Sequence, residues 1–234
     1  MKKSSSGIFI FLGMIFITAA LGLTAFNRIT AYVAGQKSAD ILEKLTQVRG
    51  SGNNEPAPSP WDTAENTGGD LFSGLTPDTF LHRESEVEIP DYVLDAERSM
   101  PAREIDGIAY VGTLSFPSLD LELPVAASWD YDTLRVTPCL YSGSAYRDNM
   151  VICAHNYTVH FGRIGLLPAG AEVRFTDMDG NCFRYQVDDM ELIRPNAVDE
   201  MTGSDYALSL FTCTMDGQKR LTLRCLRQGE DALS

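Results

Sequence analysis

Hydrophobic positions divide the chain into two dissimilar parts. From Gly7 to Phe26 the sequence is an almost unbroken apolar run without a charged residue, long enough to cross a bilayer as a helix of about 20 residues. From Ile105 onward, apolar and polar residues alternate in short runs rich in Val, Ile, Leu, Thr, Tyr and Phe, and turn residues separate the runs. The pattern predicts a membrane helix followed by a mainly β domain.

Short strands account for most of the periodic positions in this second part. The predicted strands are 110–116, 119–125, 150–155, 172–176, 183–187, 190–194, 207–213 and 220–227. Asp179-Gly180-Asn181 is a tight-turn signal between two of them. Many short strands at this spacing are typical of a β-sandwich or a small closed barrel.

The N-terminal flank indicates how the apolar run is oriented. Lys2 and Lys3 precede it, which favours a cytoplasmic N-terminus and an exported C-terminal part, although Arg28 and Lys37 follow it. A cleaved signal peptide is the alternative, but its apolar core is usually only about 7–15 residues long. We therefore expect a retained single-pass anchor in the cell membrane, with the β domain outside the cell.

The segment between the anchor and the β domain changes along its length. Apolar positions from Ile29 to Val48 recur at nearly helical spacing, so they could extend the membrane helix outward. From Gly50 to Pro60, glycine and proline are too frequent for a helix to continue. The predicted division is a cytoplasmic tail at 1–6, a transmembrane anchor at 7–26, a helical or disordered extracellular spacer at 27–104 and the folded domain at 105–234.

Composition argues against a nucleic-acid partner and against a fold held together by disulfide bonds. A formal net charge of −13 disfavours a nucleic-acid partner, because phosphate binding requires clustered Lys and Arg. The 5 cysteines are odd in number and lack the dense spacing of a disulfide scaffold. We expect mostly buried free thiols at Cys139, Cys153, Cys182, Cys213 and Cys225.

A cysteine and an arginine occupy facing positions in the last predicted hairpin. Cys213 ends one β-prone run and Arg220 begins the next, with turn residues between them. A fixed cation beside a thiol stabilises the thiolate, so Cys213 is a candidate nucleophile, with a buried structural cysteine as the alternative. Arg224 lies on the same face about four residue rises of roughly 3.3 Å away, too far to share one oxyanion with Arg220.

A base for this nucleophile must come from one of 3 histidines. His155 ends the apolar run at 150–154, so its imidazole should emerge at a strand end. His160 lies in a loop-like stretch where packing or hydrogen bonding is its expected role, and His82 lies in the acidic spacer. Thiolate, imidazole and a cation are the minimum for acyl transfer through a thioester.

No metal site and no cofactor are predicted. Cys153 and His155 share strand parity, but Cys-x-His is not a usual structural zinc spacing and a fourth ligand is not evident. The run from Asp177 to Gly180 is similar to a fragment of a calcium loop but lacks the terminal Glu, so a hairpin turn is the better interpretation.

Five motifs in order resemble the sortases, cysteine transpeptidases of Gram-positive cell surfaces. They are Tyr110-Val-Gly-Thr-Leu-Ser-Phe-Pro117, Leu121-Glu-Leu-Pro-Val125, Val151-Ile-Cys-Ala-His-Asn156, Ser209-Leu-Phe-Thr-Cys213 and Arg220. The family usually has Thr where this chain has Ser209, and Gly where it has Ala154. The Ala-His-Asn form and the single N-terminal anchor resemble a class B-like or unclassified clostridial-type sortase.

The resemblance implies a fold, an activity and a set of site residues. The fold would be an eight-stranded sortase-type β-barrel with short helices, preceded by the transmembrane helix and the spacer. Catalysis would use His155, Cys213 and Arg220, and substrate binding would use Thr212, Ser209 and Asn156. The substrates would be secreted proteins bearing a C-terminal, LPxTG-like sorting signal, and the acceptor would be a peptidoglycan precursor or another amine.

Three alternatives to this activity stay open. A hydrolytic cysteine peptidase would use the same residues. A pilin-polymerising sortase is suggested by Ser59-Pro60-Trp61, which is similar to a lid motif but lacks the preceding Asp. A non-enzymatic, membrane-tethered β domain would need no nucleophile at all.

Overall fold

One helix, α1, runs through the N-terminal apolar segment and continues well beyond it. In this computed structural model, which describes residues 6–51 and 90–229, α1 spans Ser6–Ser51. Its 46 residues correspond to a length of about 70 Å at about 1.5 Å per residue. Its apolar N-terminal half is exposed, and its most apolar window has a mean hydropathy of 2.3. Within the described residues it is the one helix long and apolar enough to cross a membrane.

The other described helices are short, and strands form the rest of the regular structure. The helices are α2 (Asp91–Leu94), α3 (Tyr131–Leu134) and α4 (Val198–Thr202), with 3₁₀ turns at Pro117–Leu119, Ala145–Arg147 and Phe161–Leu166. The strands are β1 (Arg103–Ile105), β2 (Ile108–Phe116), β3 (Leu121–Ala126), β4 (Cys139–Ser142), β5 (Met150–Cys153), β6 (Glu172–Asp177), β7 (Cys182–Ile193), β8 (Leu208–Cys213) and β9 (Arg220–Arg227).

Eight of these strands close into a barrel, as predicted. The strand order is β1-β2-β3-β4-β5-β8-β9-β7-β6, and β6 pairs with β2 to complete the circle. The ninth strand, β1, is a short addition that pairs with the start of β2. The closure needs a glycine at Gly112, because a Cβ there would collide with the carbonyl oxygen of Thr176 and the ring of Phe175.

The strands differ from the predicted ones in three main respects, apart from shifts of one or two residues at other strand ends. The strands predicted at 183–187 and 190–194 are one strand, β7, which bends at a register shift between Val187 and Asp189. Strands β1 and β4 were not predicted, because β1 has only 3 residues and the 4 residues of β4 do not alternate between apolar and polar. Strand β5 ends at Cys153, so His155 lies in the loop after the strand.

Hydrophobic side chains form separate clusters inside and outside the barrel. The interior is filled from all sides by residues such as Phe116, Phe161 and Phe175. A second cluster lies on the outer surface of strands β1 to β5, and we call it the outer cluster. It consists of Ile41, Leu45, Ile105, Tyr110, Ala126, Cys139, Cys153 and Met178. Ile41 and Leu45 belong to α1. The C-terminal half of α1, which we call its outer half, is therefore packed against the barrel wall.

Polar contacts accompany this packing. Lys44 Nζ donates to Asp106 Oδ2 at 2.7 Å, and Arg49 Nη2 donates to the carbonyl oxygen of Asp177 at 3.1 Å. Residues 27–51, which were predicted as part of the spacer, are therefore helical, and the stretch from Ala34 to Arg49 is in contact with the barrel. The rest of the spacer to 89, including Ser59-Pro60-Trp61 and His82, lies outside the described residues.

Candidate active site

The hairpin of β8 and β9 has the register that the sequence predicts. Cys213 pairs with Arg220, and Leu208 pairs with Cys225. The turn between the strands is held by Thr214, whose backbone N–H donates to the carbonyl oxygen of Lys219 at 3.0 Å. Cys213 is half-buried on the outer face of the barrel, whereas Cys225 is fully buried in the interior. The thiol of Cys213 thus lies next to the start of β9, where Arg220 is located.

The parallel pairing of β5 with β8 sets the position of His155 along the chain relative to Cys213. Met150 pairs with Leu208 and Cys153 with Phe211, so the same register brings His155 level with Cys213. Two hydrogen bonds extend the pairing past the end of β5. Ala154 N–H donates to the carbonyl oxygen of Phe211 at 3.2 Å, and the Thr212 hydroxyl donates to the carbonyl oxygen of Ala154 at 2.8 Å. The two candidate reactive side chains therefore follow directly after a hydrogen-bonded pair of strand ends.

The environment of His155 favours its neutral form. Its ring is half-buried and stacks on Tyr157, with centroids 4.9 Å apart and an interplanar angle of 25°. Burial lowers the pKa of His155 below its ordinary value, and the positive charge of Arg135 lowers it further. A neutral imidazole beside a thiol can accept the thiol proton, which is the property required of a general base.

Arg220 and Arg224 differ in what their guanidinium groups already bind. Arg220 is half-exposed, and its Nη1 donates only to backbone carbonyl oxygens of Gly217 and Lys219, at 3.4 and 3.3 Å. Arg224 is 2 % exposed, pairs with Glu191 at 3.0 Å and donates to Ser209 Oγ at 2.8 Å. Arg224 is thus a structural cation, and among the described ion pairs none engages Arg220. Arg220 can bind a developing negative charge.

The family model of the sortase domain matches residues 114–228. The match covers the barrel from within β2 to the end of β9 and includes Cys213, His155 and Arg220. This part of the chain is a sortase domain. The family resemblance of the five motifs is therefore confirmed. The curated proteins contain no match to the chain.

Solved sortase structures are similar to this chain over about half of its length. One is the Clostridium perfringens sortase D5 transpeptidase, at 18% identity, covering 51% of this chain and 79% of that chain with a TM-score of 0.45. Streptococcus pneumoniae sortase C is 25% identical, covering 51% and 69%, with a TM-score of 0.45. A lid mutant of Corynebacterium diphtheriae sortase A is 18% identical, covering 60% and 77%, with a TM-score of 0.46.

The residues predicted to bind substrate in the sortase domain occupy different settings. Asn156 lies at the rim, and its side-chain nitrogen is 3.8 Å from the sulfur of the exposed Met215 in the hairpin turn. Thr212 is buried and its hydroxyl is bound to Ala154, while Ser209 is buried and accepts from Arg224. Substrate contact by Asn156, Thr212 and Ser209 stays a prediction, and for the last two it requires that these internal bonds break.

The other four cysteines of the chain show how the setting of Cys213 differs from that of an ordinary thiol in the sortase domain. All five are free thiols. Burial raises the pKa of Cys153 to about 12 and that of Cys225 to about 12, and it also raises the pKa of Cys139. Cys182 is exposed at the start of β7 but has no paired histidine or arginine in its register. Cys213 alone among the five is both accessible and level with a histidine and an arginine.

The carboxylate of Asp177 is bound by neighbouring groups of the protein. No group of three or more His, Cys, Asp or Glu side chains that could hold a metal ion occurs in 6–51 and 90–229. Asp177, in the run similar to a calcium loop, accepts from the backbone N–H groups of Asp179 and Asn181 and from the Tyr146 hydroxyl. Its carboxylate fixes the β6–β7 hairpin turn, in agreement with the turn interpretation.

An aromatic strip leads along the outer face of the sortase domain toward Cys213. Phe211 shares the face of Cys213, its ring lies 5.2 Å from Tyr141 on β4, and Tyr141 lies 5.7 Å from the partly exposed Trp129. Sequence reasoning missed Trp129 and Tyr141 because β4 was not predicted. The parity shared by Phe211 and Cys213 was the only local signal of this surface.

Proposed function

We propose that the chain is a membrane-anchored cysteine transpeptidase that cleaves a C-terminal, LPxTG-like sorting signal of secreted proteins and joins the new carboxyl end to a cell-wall amine. The observation that supports the proposal is the backbone register that relates three residues, His155, Cys213 and Arg220, at the ends of neighbouring strands. Parallel pairing of β5 with β8 brings His155 level with Cys213, and antiparallel pairing of β8 with β9 brings Arg220 opposite the same residue. A thiol, an imidazole and a guanidinium group are the three groups that acyl transfer through a thioester requires.

In the first half-reaction, the sulfur of Cys213 attacks the carbonyl carbon of the scissile peptide bond. His155 takes the thiol proton, and Arg220 donates hydrogen bonds to the carbonyl oxygen as it becomes negative. When the tetrahedral intermediate collapses, the carbon–nitrogen bond breaks and His155 gives the proton to the departing amine. The products are a thioester on Cys213 and a free amine from the distal part of the sorting signal.

In the second half-reaction, an acceptor amine attacks the thioester carbon. His155, now neutral again, accepts a proton from the attacking nitrogen, and Arg220 again stabilises the oxyanion. The carbon–sulfur bond breaks, Cys213 regains a proton from His155, and a new amide bond remains. Water in place of the amine would give hydrolysis, which is the activity of the cysteine peptidase alternative.

The aromatic strip supports an apolar, extended peptide as the donor substrate. Phe211, Tyr141 and Trp129 form a continuous path to Cys213, and such rings bind apolar and proline side chains at low entropic cost. The apolar residues of a sorting signal could lie along this path while its scissile bond meets Cys213.

The membrane anchor would hold the active site at the surface where both substrates arrive. Only about 8 residues separate Phe26, the end of the predicted span, from Ala34, the first buried residue of the packed half of α1. This distance is about 12 Å along a helix, so the barrel is held near the bilayer. A secreted donor and a membrane-bound acceptor would meet the site at high effective concentration. The proposed location is the outer face of the cell membrane, with the N-terminus in the cytoplasm.

The experiment uses the full chain in lipid nanodiscs with a library of sorting-type peptides, with and without amine acceptors. Mass spectrometry would detect an acyl adduct on Cys213 and an amine-dependent ligated product, and both should be absent from Cys213→Ala. Cleavage at equal yield with and without amines would replace the proposal by the hydrolytic peptidase. Ligation only to a lysine of a pilin-type protein would favour the pilin-polymerising alternative. No adduct with any peptide or thiol-reactive acyl donor would favour a non-enzymatic tethered domain.

A further inference from the structure

The outer half of α1 touches the loop that carries His155. Gly35 faces Val159, and a Cβ built at Gly35 would lie 3.1 Å from a methyl carbon of Val159. One helical turn further along, the Ser38 hydroxyl lies 3.4 Å from His160 Nε2. Val159 and His160 are the last residues of the loop from Asn156 to His160, which begins immediately after His155. The anchor helix and the histidine loop are therefore in direct van der Waals and polar contact.

Ser38 joins the loop that follows His155 to the segment that carries Arg135. Its hydroxyl is 3.0 Å from the carbonyl oxygen of Val136, a neighbour of Arg135, and 3.4 Å from His160. The hydroxyl has one proton, and the shorter contact indicates that it is donated to Val136. His160 Nε2–H then donates to Ser38 Oγ, and Nδ1 keeps a lone pair without a hydrogen-bond partner. Ser38 is itself 3 % exposed, so water does not replace these contacts.

Aromatic rings connect His160 to His155. The Tyr157 ring lies 5.6 Å from His160 on one side and 4.9 Å from His155 on the other. Backbone bonds fix the same loop: His160 N–H donates to the carbonyl oxygen of Tyr157 at 2.9 Å, and Phe161 N–H donates to that of His155 at 3.1 Å. Because His160 is 0 % exposed, any movement of its ring displaces the packing on which Tyr157 rests.

The outer cluster gives α1 a second route to the reactive residues. Ile41 and Leu45 of α1 pack in the same cluster as Cys153, and Phe211 packs against it. Phe211 precedes Cys213 by two positions on the same face of β8, and Cys153 is the last residue of β5, two positions before His155. The helix thus shares one hydrophobic cluster with the residues that precede His155 and Cys213, in addition to its contact with the loop.

From these contacts we propose that Ser38 is a positioning residue for His155 and that the outer half of the anchor helix supports the active site structurally. The helix holds the His155 ring in its half-buried position against Tyr157 and near Arg135. The proposal deepens the proposed function and rests on it for its catalytic meaning, but the position of the His155 ring can be measured without any substrate.

Several charged and titratable groups near His155 can affect the pH at which it titrates. They are Arg135 from the segment after α3, Tyr157 and His160 from its own loop, and Cys213 and Arg220 from the β8–β9 hairpin. The α1 residue that contacts the histidine loop through its hydroxyl, Ser38, is uncharged. Substituting Ser38 therefore changes packing and hydration around His155 without removing a charge.

The experiment follows the titration of His155 by NMR in the full chain in nanodiscs, with the signals of the 3 histidines assigned by substitution. Ser38→Ala should release the loop, hydrate His155 and separate it from Arg135. Its titration midpoint should then rise by roughly half a pH unit or more toward the ordinary value. Ser38→Thr, which keeps the hydroxyl, should restore the original midpoint. Thr46→Ala is the matched control, because the Thr46 hydroxyl binds only the Leu42 carbonyl of its own helix.

A second pair of variants tests the proposal if Ser38→Ala folds poorly. Gly35→Ala should press on Val159 and shift the midpoint of His155, whereas Gly22→Ala meets no atom within 4 Å and should not. An unchanged midpoint in both Ser38→Ala and Gly35→Ala, in folded protein, would overturn the proposal. A shifted midpoint together with an inactive wild-type protein would keep the positioning role and instead refute the transpeptidase activity, so the two failures are distinguishable.

Discussion

The hydroxyl of Thr212 donates to the carbonyl oxygen of Ala154 at 2.8 Å, and these two residues immediately precede Cys213 and His155. The bond lies at the ends of two parallel strands and is buried. It therefore fixes the spacing between the candidate nucleophile and its base at the place where the ladder of backbone hydrogen bonds ends.

Removing this bond should slow acyl transfer. Thr212→Val keeps the shape of the side chain but leaves the buried Ala154 oxygen without its partner, at a cost of about 1–3 kcal/mol. The rate of acyl-enzyme formation at saturating substrate should fall about tenfold or more. Thr202→Val is the control, since the Thr202 hydroxyl binds an exposed carbonyl within its own helix. Equal rates in the two variants would show that the bond does not position the site.

The two arginines of β9 should respond in opposite ways to the same substitution. Arg220→Gln should reduce the rate of acylation by about 10²–10³, the loss usual for one oxyanion donor, with unchanged stability. Arg224→Gln should lower the free energy of unfolding by about 3–5 kcal/mol, because buried partners of Arg224 such as Ser209 lose their hydrogen bonds. Denaturant unfolding and single-turnover kinetics measure the two effects. A stable Arg224→Gln variant that cannot be acylated would exchange the roles assigned to the two residues.

Sequence reasoning reached those parts of the site that are local in the chain. Cys213 and Arg220 belong to one hairpin, so parity and turn residues suffice to place them opposite each other. The position of His155 beside Cys213 depends on the parallel pairing of β5 with β8, which are more than 50 residues apart. No periodicity within either strand specifies that pairing, and only the family resemblance indicated it.

The packing of α1 was hidden by the composition of its buried face. Ala34, Ser38, Ile41 and Leu45 are the buried positions, at helical spacing, but the first two are too small or too polar to extend an apolar stripe. The sequence therefore predicted that the helix continues but not that it packs against a barrel. Strand β4 was not predicted because the sequence Cys139-Leu140-Tyr141-Ser142 does not alternate between apolar and polar residues.

Acid should destabilise the protein through His160. Burial is the main cause that lowers the pKa of His160 to about 4, whereas an unfolded histidine has a pKa of about 6.5. Between these values the unfolded state binds a proton that the folded state does not, so stability is full above pH 6.5 and falls as the pH approaches 4. The expected loss is roughly 3 kcal/mol.

Thermal unfolding at pH 7 and pH 5 measures this dependence. His160→Gln removes the titrating group and should flatten the pH dependence, even if it lowers stability at pH 7. His82→Gln is the control, because His82 lies in the acidic spacer and should leave the profile unchanged. A His160→Gln variant with the wild-type pH dependence would assign the acid sensitivity to other groups.

Peptide recognition should depend on the aromatic strip. Tyr141→Ala removes the ring between Phe211 and Trp129, so KM for the donor peptide should rise several-fold while kcat changes little. Tyr206→Ala is a control of equal size, since Tyr206 contacts Asp188 and Arg224 on another part of the surface. A change in kcat without a change in KM would show that Tyr141 acts on the chemistry rather than on binding.

Truncation should show whether the barrel is complete without α1. A fragment that begins at Pro90 retains all nine strands but exposes the outer cluster, because Ile41 and Leu45 are missing. Each of these side chains contributes about 1.5–3 kcal/mol when buried, so the fragment should unfold at a clearly lower temperature than one that begins at Asn27. The shorter fragment should also associate through the uncovered apolar surface around Tyr110 and Met178. Ile41→Ala in the longer fragment should reproduce part of the loss, whereas Val48→Ala, at an exposed position, should not. If both fragments unfold at the same temperature, the helix contacts add no stability, and the anchor acts only as a tether.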